Sequence, residues 1–477
     1  MKREVKVIKN TLIYAVGNFA SKFLGFLLLP LYTGYLSVED FGYYDLILIT
    51  VSLFLPIVTL QIFDGLYRYL LGASNEIEKN TVISNSFFIV IRNLIVFNIL
   101  YFIIIVWIDL KYEILILLYL NLLILSQMFT ETARGLKENV VYSIAGFIGT
   151  CISLFFSIVT VAFLNMKIEG LLISLIFSSI GAILFIEFKL KITKRININV
   201  KEKSMSKDLL QYSIPLIPNV INWWVMNVSD RYLLNYFIDL NANGIYAVAN
   251  KFPSILMIVN TIFYMAWQES AITEHNSEDR DKYYTKMFNT YLKLQWCAVL
   301  ILLAITKPLM EIVVKSNFEE AWLYVPFLYF AVIFSSFSSF YGIGFQSSKE
   351  TKGAFTSSVI GSAINLILSI ILLPLIGIQG ATLSTLVAFL AMWVIRIYQT
   401  KKYFIIKIEG TTFVFLMLIS ILFLYLYYIN TFLTTVILLV LSLVITYLLN
   451  KGLIHKVWLL GSKVLKKLAP TKYRRTQ

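Results

Sequence analysis

The sequence predicts an all-α polytopic membrane protein with fourteen transmembrane helices. Of its 477 residues, 58% are hydrophobic and only 14% are charged, a balance that an ordinary soluble domain does not need in order to bury its core. Apolar runs of about 20 residues, enough to cross a hydrocarbon core about 30 Å thick, recur along almost the whole chain. The segments between these runs are alternately rich and poor in basic residues, as expected of a chain that crosses a membrane many times.

The predicted spans lie between the places where charged and turn-forming residues cluster. In order, they are residues 11–35, 42–67, 81–107, 113–133, 140–164, 169–188, 209–238, 243–271, 285–305, 320–345, 353–376, 379–398, 408–428 and 431–450. The first span is too long for the core of a signal peptide, and no small-residue cleavage site follows it. We therefore expect it to be retained as a transmembrane helix.

Lysine and arginine are distributed very unevenly between the two sides that these spans define. The N-terminus, the C-terminal tail and six alternate loops, the last of which begins at Arg396, together hold 32 of the 41 basic residues. The opposite side holds four. Because cytoplasmic loops carry such an excess, both termini are expected in the cytoplasm, with the protein in the cell inner membrane. The net charge of +14 then reflects topology and attraction to the anionic inner leaflet, and we expect no binding to nucleic acid.

An internal repeat relates the two halves of the chain. Shifted by 202 residues, YLSVEDFGYYDLI (35–47) overlies FIDLNANGIYAVA (237–249) and pairs Gly42 with Gly244. The same shift pairs Tyr44 with Tyr246 and Glu76 with Glu278. Each half thus has a long first helix, a tight turn with helix-capping residues, and then glycine and tyrosine at the start of the next helix.

A second match in the same order strengthens the repeat. IEGLLIS (168–174) matches IQGATLS (378–384) as I-x-G-x-x-x-S, at a shift of 210. Two halves of six helices that both begin and end in the cytoplasm are parallel repeats related by an axis along the membrane normal, with a cavity between them. We expect an N-terminal lobe at 1–190, a basic cytoplasmic linker at 191–208, a C-terminal lobe at 209–400, two extra helices at 401–450 and a basic cytoplasmic tail at 451–477.

Five basic residues fall inside the predicted spans. They are Lys22, Arg92, Arg231, Lys251 and Lys293. A central basic residue costs about 2.5 to 3.5 kcal/mol on insertion scales, so five together would cost on the order of 15 kcal/mol if they faced lipid. We therefore interpret them as lining a water-filled cavity between the lobes. Their surplus over the acids of the spans predicts an anionic substrate, with phosphate or diphosphate as the candidate group.

Acidic residues are fewer inside the spans. Only Asp230 lies well within one, whereas the others lie nearer the helix ends: Asp45, Asp64, Glu131, Glu187 and Glu269. Asp230 and Arg231 are neighbours and point to different sides of a helix, so each is expected to find a partner elsewhere. We predict a gating or ion-coupling role for Asp230 and Asp64. For Arg231, Lys251 and Lys293, each about 12 Å from a helix end at about 1.5 Å per residue, snorkelling or structural pairing is an alternative.

Residues typical of catalysis are missing from the sequence pattern. The two histidines, His275 and His455, both fall in predicted cytoplasmic segments, and no nucleotide-binding loop, metal-ligand cluster or nucleophile elbow is recognisable. We therefore expect neither an enzyme nor a bound cofactor. Cys151 and Cys297 lie in separate apolar spans, and we expect both to be small core residues.

Two segments resemble a known family. GNFASKFLGFLLLPLYTGYLSVEDFGYYDL near the N-terminus and SDRYLLNYFIDLNANGIYAVANKF at the seventh helix, with the plan of two six-helix halves and two extra helices, resemble the Wzx-type flippases of O-antigen and capsule polysaccharides. These belong to the multidrug/oligosaccharidyl-lipid/polysaccharide exporter superfamily. The resemblance implies translocation of a polyprenyl-diphosphate-linked oligosaccharide by alternating access. It also implies a cationic cavity onto which Lys22, Arg92, Arg231, Lys251 and Lys293 map.

The resemblance carries further expectations about partners. The lipid-linked oligosaccharide and the membrane lipids are the implied partners, and a polysaccharide polymerase and a chain-length regulator are further candidates. By similarity to the lipid II flippases, helices 13 and 14 are expected to form a groove for the lipid tail.

Three other functions remain open on the sequence. Multidrug exporters of the same superfamily bind cations in acidic cavities and usually stop at twelve helices, whereas the charge inside these spans is basic. Lipid II flippases share the fourteen helices and the anionic cargo. A membrane scaffold for an envelope assembly complex is the alternative of another class, but a scaffold has no reason to bear the cost of deeply placed cations.

Overall fold

The structure, a computed structural model, describes residues 26–108, 110–197, 202–275, 277–347 and 352–468. Lys22, one of the predicted site residues, lies outside these ranges. Within them the secondary structure is helical, and eleven helices are long and apolar enough to cross a membrane. The predicted all-α polytopic membrane fold is therefore confirmed, whereas the number of fourteen transmembrane helices stays a prediction.

The described part of the first half, residues 26–108 and 110–197, contains seven helices. They are α1 Leu29–Tyr35, α2 Val38–Thr59, α3 Ile62–Gly72, α4 Glu76–Ile105, α5 Glu113–Gly135, α6 Asn139–Ser157 and α7 Lys167–Leu190. A π-helical turn, Ile158–Phe163, continues α6, and a 3-10 turn, Ile192–Arg195, follows α7. Helices α2 to α7 pack against one another, chiefly through α5, α6 and α7.

Nine helices lie in the described part of the second half, residues 202–275, 277–347 and 352–468. They are α8 Lys203–Ser213, α9 Ile217–Phe237, α10 Leu240–Thr273, α11 Arg280–Val313, α12 Val325–Ser347, α13 Lys352–Ile376, α14 Ile378–Thr400, α15 Gly410–Ile429 and α16 Phe432–Leu468. Helices α9 to α14 pack against one another, and α15 and α16 lie against α11. The two halves meet where α2 packs on α9 and α10. We call this contact the seam.

Side-chain caps start the helices on both sides of the seam. Ser37 Oγ accepts a hydrogen bond from the backbone N–H of Asp40 at 3.0 Å and so begins α2. Asp239 Oδ1 accepts one from the backbone N–H of Ala242 at 2.7 Å and begins α10. Such caps satisfy backbone donors that a helix leaves unpaired at its start. Ser37 and Asp239 are 202 residues apart, so the shift of the predicted repeat places the two caps in register.

The second predicted span, residues 42–67, is not one continuous helix. Leu60 and Gln61 have φ angles of 53° and 54°, which end α2 and set α3 at a new direction. Pro56 lies one turn before this break, and its carbonyl accepts the backbone N–H of Gln61 at 3.1 Å. Since proline removes a backbone donor and bends a membrane helix, the break falls where the helix is already weakened.

The ninth predicted helix is longer than expected. It was predicted at residues 285–305 with a long loop at 306–319, but α11 continues to Val313 with Pro308 inside it. A 3-10 helix, Ser316–Tyr324, then leads into α12. The charged groups that marked the end of the span, such as Lys307, lie on the helix itself, where Lys307 Nζ is 3.9 Å from Glu311 Oε1 one turn later.

One predicted core cysteine is not in the core. Cys297 on α11 is buried, as predicted, but Cys151 on α6 is exposed. Cys151 lies on the same face of α6 as Phe147 and Phe155, which are 45% and 61% exposed. This apolar outer face fits contact with lipid, which an apolar sequence cannot distinguish from a protein core.

The predicted linker is partly folded. Its residues 191–208 include the 3-10 turn at Ile192–Arg195 and the first part of α8, which continues through Ile214–Leu216 into α9. Helix α8 packs against α3 and α4: the rings of Tyr212 and Tyr69 meet edge to face at 6.3 Å, and Ser206 Oγ donates to Asn85 Oδ1 at 2.8 Å.

Candidate substrate-binding and gating site

The seam is closest at the ends of α2 and α10 that begin at Val38 and Leu240, which we call the outer end because the basic residues predict that it faces away from the cytoplasm. A Cβ atom on Gly42 would lie 2.1 Å from the carbonyl oxygen of Leu240, and one on Gly244 would lie 2.1 Å from that of Val38. Asn243 Nδ2 also donates to the carbonyl of Gly42 at 2.7 Å. Such backbone contact requires glycine on both helices, and it closes the outer end.

One turn below this contact, an ion pair crosses the seam. Arg231 Nε on α9 lies 2.7 Å from Asp45 Oδ2 on α2, and both side chains are about nine-tenths buried. Arg231 Nη1 also donates to the carbonyl of Asn227 at 2.9 Å. The sequence predicted that Arg231 lines a cavity but gave Asp45 no role. A charge inside a membrane span is a functional-site candidate by default, and this rule would have included Asp45.

Asp230 lies on the opposite side of Arg231. Its carboxylate accepts hydrogen bonds from the hydroxyl of Tyr246 on α10 and, at 3.4 Å, from Thr385 Oγ1 on α14. Its other oxygen is 3.4 Å from Arg231 Nη1. Each of the two neighbours thus has a partner on another helix, as predicted, but they also contact each other because the long arginine side chain bends back.

Lys251 completes a group of four charges that we call the seam cluster: Asp45, Asp230, Arg231 and Lys251. Lys251 lies one and a half turns after Tyr246 on α10, is half-buried, and interacts electrostatically with Asp45 and Arg231. The cluster has two formal negative and two formal positive charges. The positive surplus predicted from the sequence is therefore not concentrated here, because two acids balance the two bases.

Neutral hydrogen bonds extend the contact between α2 and α9. Trp224 Nε1 donates to the carbonyl of Ile49 at 3.1 Å and to Ser52 Oγ at 3.0 Å. The hydroxyls of Thr50 and Tyr232 are also hydrogen-bonded. Together with the ion pair, these hydrogen bonds join α2 to α9.

Arg92 lies apart from the seam cluster. It is exposed on α4 and lines a groove of about 970 Å³ between α4 and α8, which we call the α4–α8 groove. Lys203 and Lys207 on α8 line the same groove. The Arg92 guanidinium donates to Asn93 Oδ1 at 3.0 and 3.3 Å and has no acidic partner among the described residues.

Lys293 and Asp64 are also separate from the seam. Lys293 Nζ lies 2.7 Å from Glu409 Oε2, in the segment that leads into α15. Asp64 is exposed on α3 and accepts a hydrogen bond from Gln61 Nε2 at 2.9 Å. Of the predicted site residues, the structure thus brings together Arg231, Lys251 and Asp230.

A buried arginine was placed wrongly from the sequence. Arg396 was counted in a cytoplasmic loop, but it lies inside α14 and is 3% exposed. It donates to four groups on α12 and α13, which are the carbonyls of Ser338 and Ala354 and the hydroxyls of Ser357 and Ser358. It sits near the end of an apolar run, where a basic residue is usually taken as the start of a loop.

Comparison with known families identifies the chain. The family described as "Polysaccharide biosynthesis protein" matches residues 7–272, which is more than half of the chain. The chain belongs to this family. A curated relative of this family member, an uncharacterized membrane protein of Methanocaldococcus jannaschii, is 25% identical over 214 residues. That match covers 42% of the chain and 40% of the relative, so the chain spans only two-fifths of the length of that protein.

Solved structures share the fold of this polysaccharide biosynthesis family member. The lipid II flippase MurJ in an inward closed conformation gives a TM-score of 0.70 at 16% identity, covering 93% of this chain and all of that one. An inward-facing MATE-family multidrug resistance transporter gives 0.68 at 11%, covering 80% and 95%. A superfamily transporter from Pyrococcus furiosus, described by the reverse polarity of its binding pocket, gives 0.57 at 12%, covering 83% and 96%. The chain therefore shares the fold of these transporters.

Proposed function

We propose that this protein is a flippase that moves a polyprenyl-diphosphate-linked oligosaccharide, the repeat unit of a surface polysaccharide, from the inner to the outer leaflet of the cytoplasmic membrane. Both termini then lie in the cytoplasm, the first and second six-helix groups act as two lobes, and transport proceeds by alternating access between them. The family match to polysaccharide biosynthesis proteins supports the class of cargo.

The observation that carries the proposal is the buried ion pair between Arg231 and Asp45 on opposite sides of the seam. Asp45 holds the Arg231 cation between the two lobes. A diphosphate can take the place of Asp45 as the anion that binds this cation. Phosphate oxygens accept the same charge-assisted hydrogen bonds from a guanidinium as a carboxylate does. Lys251, which interacts electrostatically with both Asp45 and Arg231, adds a second cation beside this pair.

This exchange gives a mechanism for gating. While Asp45 holds Arg231, the seam and the glycine contact above it keep the outer end closed. A diphosphate that binds Arg231 and Lys251 releases Asp45, which removes the charged link between α2 and α9 and allows the outer end to open. Asp230, fixed by Tyr246, keeps the arginine oriented during this change. The coupling role predicted for Asp64 remains a separate proposal, since this residue lies outside the seam.

Lipid II is the second candidate cargo. The likeness to the lipid II flippase covers 93% of the chain. Its cargo is also an anionic lipid, so the seam cluster does not separate the two candidates. The family match favours polysaccharide cargo, for which a polymerase and a chain-length regulator are the expected partners. A cation-binding multidrug exporter fits the cluster less well, because both of its acids are already paired with arginine or tyrosine.

Reconstitution tests the proposal. The purified protein in liposomes is supplied with a fluorescent polyprenyl-diphosphate oligosaccharide in both leaflets, and a membrane-impermeant reagent quenches the exposed fraction. We expect the protected fraction to become accessible only in liposomes that contain the protein, and lipid II in a parallel sample to move more slowly. If neither lipid moves while a cationic drug is exported, the proposal is wrong. Faster movement of lipid II would favour the second candidate.

A further inference from the structure

The α4–α8 groove has the chemistry of a lipid diphosphate site. We infer that it binds the diphosphate of the polyprenyl cargo in the inner leaflet before transport, an inference that rests on the proposed function. The groove is separate from the seam cluster and is formed by α4 of the first half and α8, which continues into α9 of the second half.

Three cations line the groove without a carboxylate. Arg92, Lys203 and Lys207 all point into it, and none of them has an acidic partner among the residues that the structure describes. The two acids of the same segment, Glu202 and Asp208, do not line it. A groove with three formal positive charges and no negative one attracts an anion of matching charge. Its affinity should fall with salt, because all three side chains are exposed.

The groove also changes from polar to apolar along its length. Helices α4 and α8 run in the same direction, and their register is set by the hydrogen bond from Ser206 to Asn85. The lysines therefore lie towards the inner end, Arg92 lies about two turns deeper, and Ile95 and Ile214 lie beside or beyond it. Beyond the groove, α4 continues with Ile99, Leu100 and Ile103, each at least half exposed. This order of charge followed by an apolar track matches a phosphorylated headgroup with a long hydrocarbon chain.

The charge favours a diphosphate over the bulk phospholipid of the leaflet. A phosphodiester lipid carries one negative charge, whereas a diphosphate ester carries at least two and presents oxygens to several donors at once. Arg92 supplies a planar donor pair and the lysines supply flexible point charges from the opposite wall. A ligand here contacts both halves, so its binding is expected to depend on their relative position.

Binding to the full-length protein in nanodiscs of zwitterionic lipid tests the inference. The probes are polyprenyl diphosphate and phosphatidylglycerol, measured by native mass spectrometry. We expect Arg92→Gln and the double variant Lys203→Gln/Lys207→Gln each to weaken binding of polyprenyl diphosphate by about tenfold, and Arg92→Lys to recover part of the loss. The control is Lys194→Gln, an exposed lysine of the same linker outside the groove. Wild-type affinity in both neutralised variants would overturn the inference, as would equal affinity for phosphatidylglycerol.

A crosslinking measurement locates the ligand independently of affinity. A polyprenyl diphosphate with a photoreactive group in its first isoprene unit should label peptides from residues 88–96 and 203–215, and excess unlabelled probe should abolish the labelling. Labels confined to other helices contradict the site. Failure of the groove and failure of the proposed function are distinguishable: in liposomes, neutralised groove variants that flip at the wild-type rate overturn only the groove, whereas a wild type that moves no lipid-linked oligosaccharide overturns the function.

Discussion

Gly42 on α2 and Gly244 on α10 face each other across the seam, and the opposite helix leaves no room for a side chain at either position. A methyl group on either glycine would lie 2.1 Å from a backbone oxygen of the opposite helix. The two are also repeat mates in the sequence, 202 residues apart. The repeat predicted from the sequence would place such a pair near the axis between the halves, which is where an alternating-access protein would close its outer end.

Replacing either glycine with alanine is expected to open the outer end. No side chain can move to relieve the overlap, since the clash is with backbone, so the helices must separate. The measurement is labelling of Thr50→Cys by a membrane-impermeant thiol reagent in a Cys151→Ser background. We expect Gly42→Ala and Gly244→Ala to label about tenfold faster than the parent, which corresponds to about 1.4 kcal/mol in the closing equilibrium.

Gly72→Ala is the matched control, because no atom lies within 4 Å of the position that its Cβ would take. Its labelling rate should equal that of the parent. Unchanged labelling in both seam variants would show that the contact does not hold the outer end closed.

How much of this seam could be read from the sequence depends on the kind of interaction. The glycine pair was visible, because duplication leaves matching residues at a constant shift. The partner of Arg231 was not, because Asp45 is 186 residues away and the residue that the repeat pairs with Asp45 is Ala247. An ion pair between the two halves need not be duplicated. Comparing the halves of the sequence therefore does not reveal it.

The ion pair itself is expected to couple energetically. Removing one partner of a buried pair leaves the other charge uncompensated, which typically costs about 3 to 5 kcal/mol. Because Arg231 keeps a contact with Asp230, we expect a smaller loss of about 2 kcal/mol for Asp45→Asn and a larger one for Arg231→Gln. The free energy of unfolding, measured by steric trapping in bicelles, gives the two single values and that of the double variant.

The double variant Asp45→Asn/Arg231→Gln should lose less stability than the sum of the two single losses, by at least about 1 kcal/mol. Glu319→Gln, an exposed acid near the outer end, serves as the control for loss of a carboxylate and should be close to neutral. Strict additivity of Asp45→Asn and Arg231→Gln would refute the coupling. It would also remove the physical basis for release of Asp45 by the cargo.

The sequence also could not show which of the five basic residues inside the predicted spans face the seam. Helix length and apolar periodicity fix a depth, not the direction in which a side chain points. Arg231 and Lys293 have similar depths, yet Lys293 pairs with Glu409 outside its own span. Arg396 shows the opposite error, since a position at the end of an apolar run proved to be a buried site with four acceptors.

Arg396 is expected to be a major stabiliser of the second half. It joins α14 to α12 and α13, and Arg396→Leu would leave two hydroxyls and two carbonyls without their donor. We expect a loss of about 3 kcal/mol, seen as a lower melting temperature. Arg396→Lys should recover little of it, because one ammonium cannot reach acceptors on both helices. Lys401→Ala, an exposed position on the next turn, is the control. Full stability of Arg396→Lys would show that charge alone matters.

The pair of Lys293 and Glu409 predicts a pH dependence in the segment before α15. The hydrogen bond from Lys293 holds the pKa of Glu409 below its ordinary value near 4.5. Because the folded protein then binds this proton less readily than the unfolded chain, the pair stabilises the protein above about pH 4.5 and loses this contribution as the pH falls through the lowered pKa. Glu409 is largely exposed, so the effect should stay within about 1 kcal/mol.

Hydrogen exchange of the backbone of residues 404–409 is the measurement, corrected for the intrinsic effect of pH. In the wild type, protection should fall between pH 6 and pH 3.5, whereas Glu409→Gln should already show the lower protection at pH 6 and little further change. The hydrogen bonds from Asn289 to the carbonyl of Lys407 and from the backbone N–H of Glu409 to Asn289 do not titrate, so they should preserve residual protection in both proteins. If Glu409→Gln kept the full pH dependence, a group other than Glu409 would control the protection of this segment.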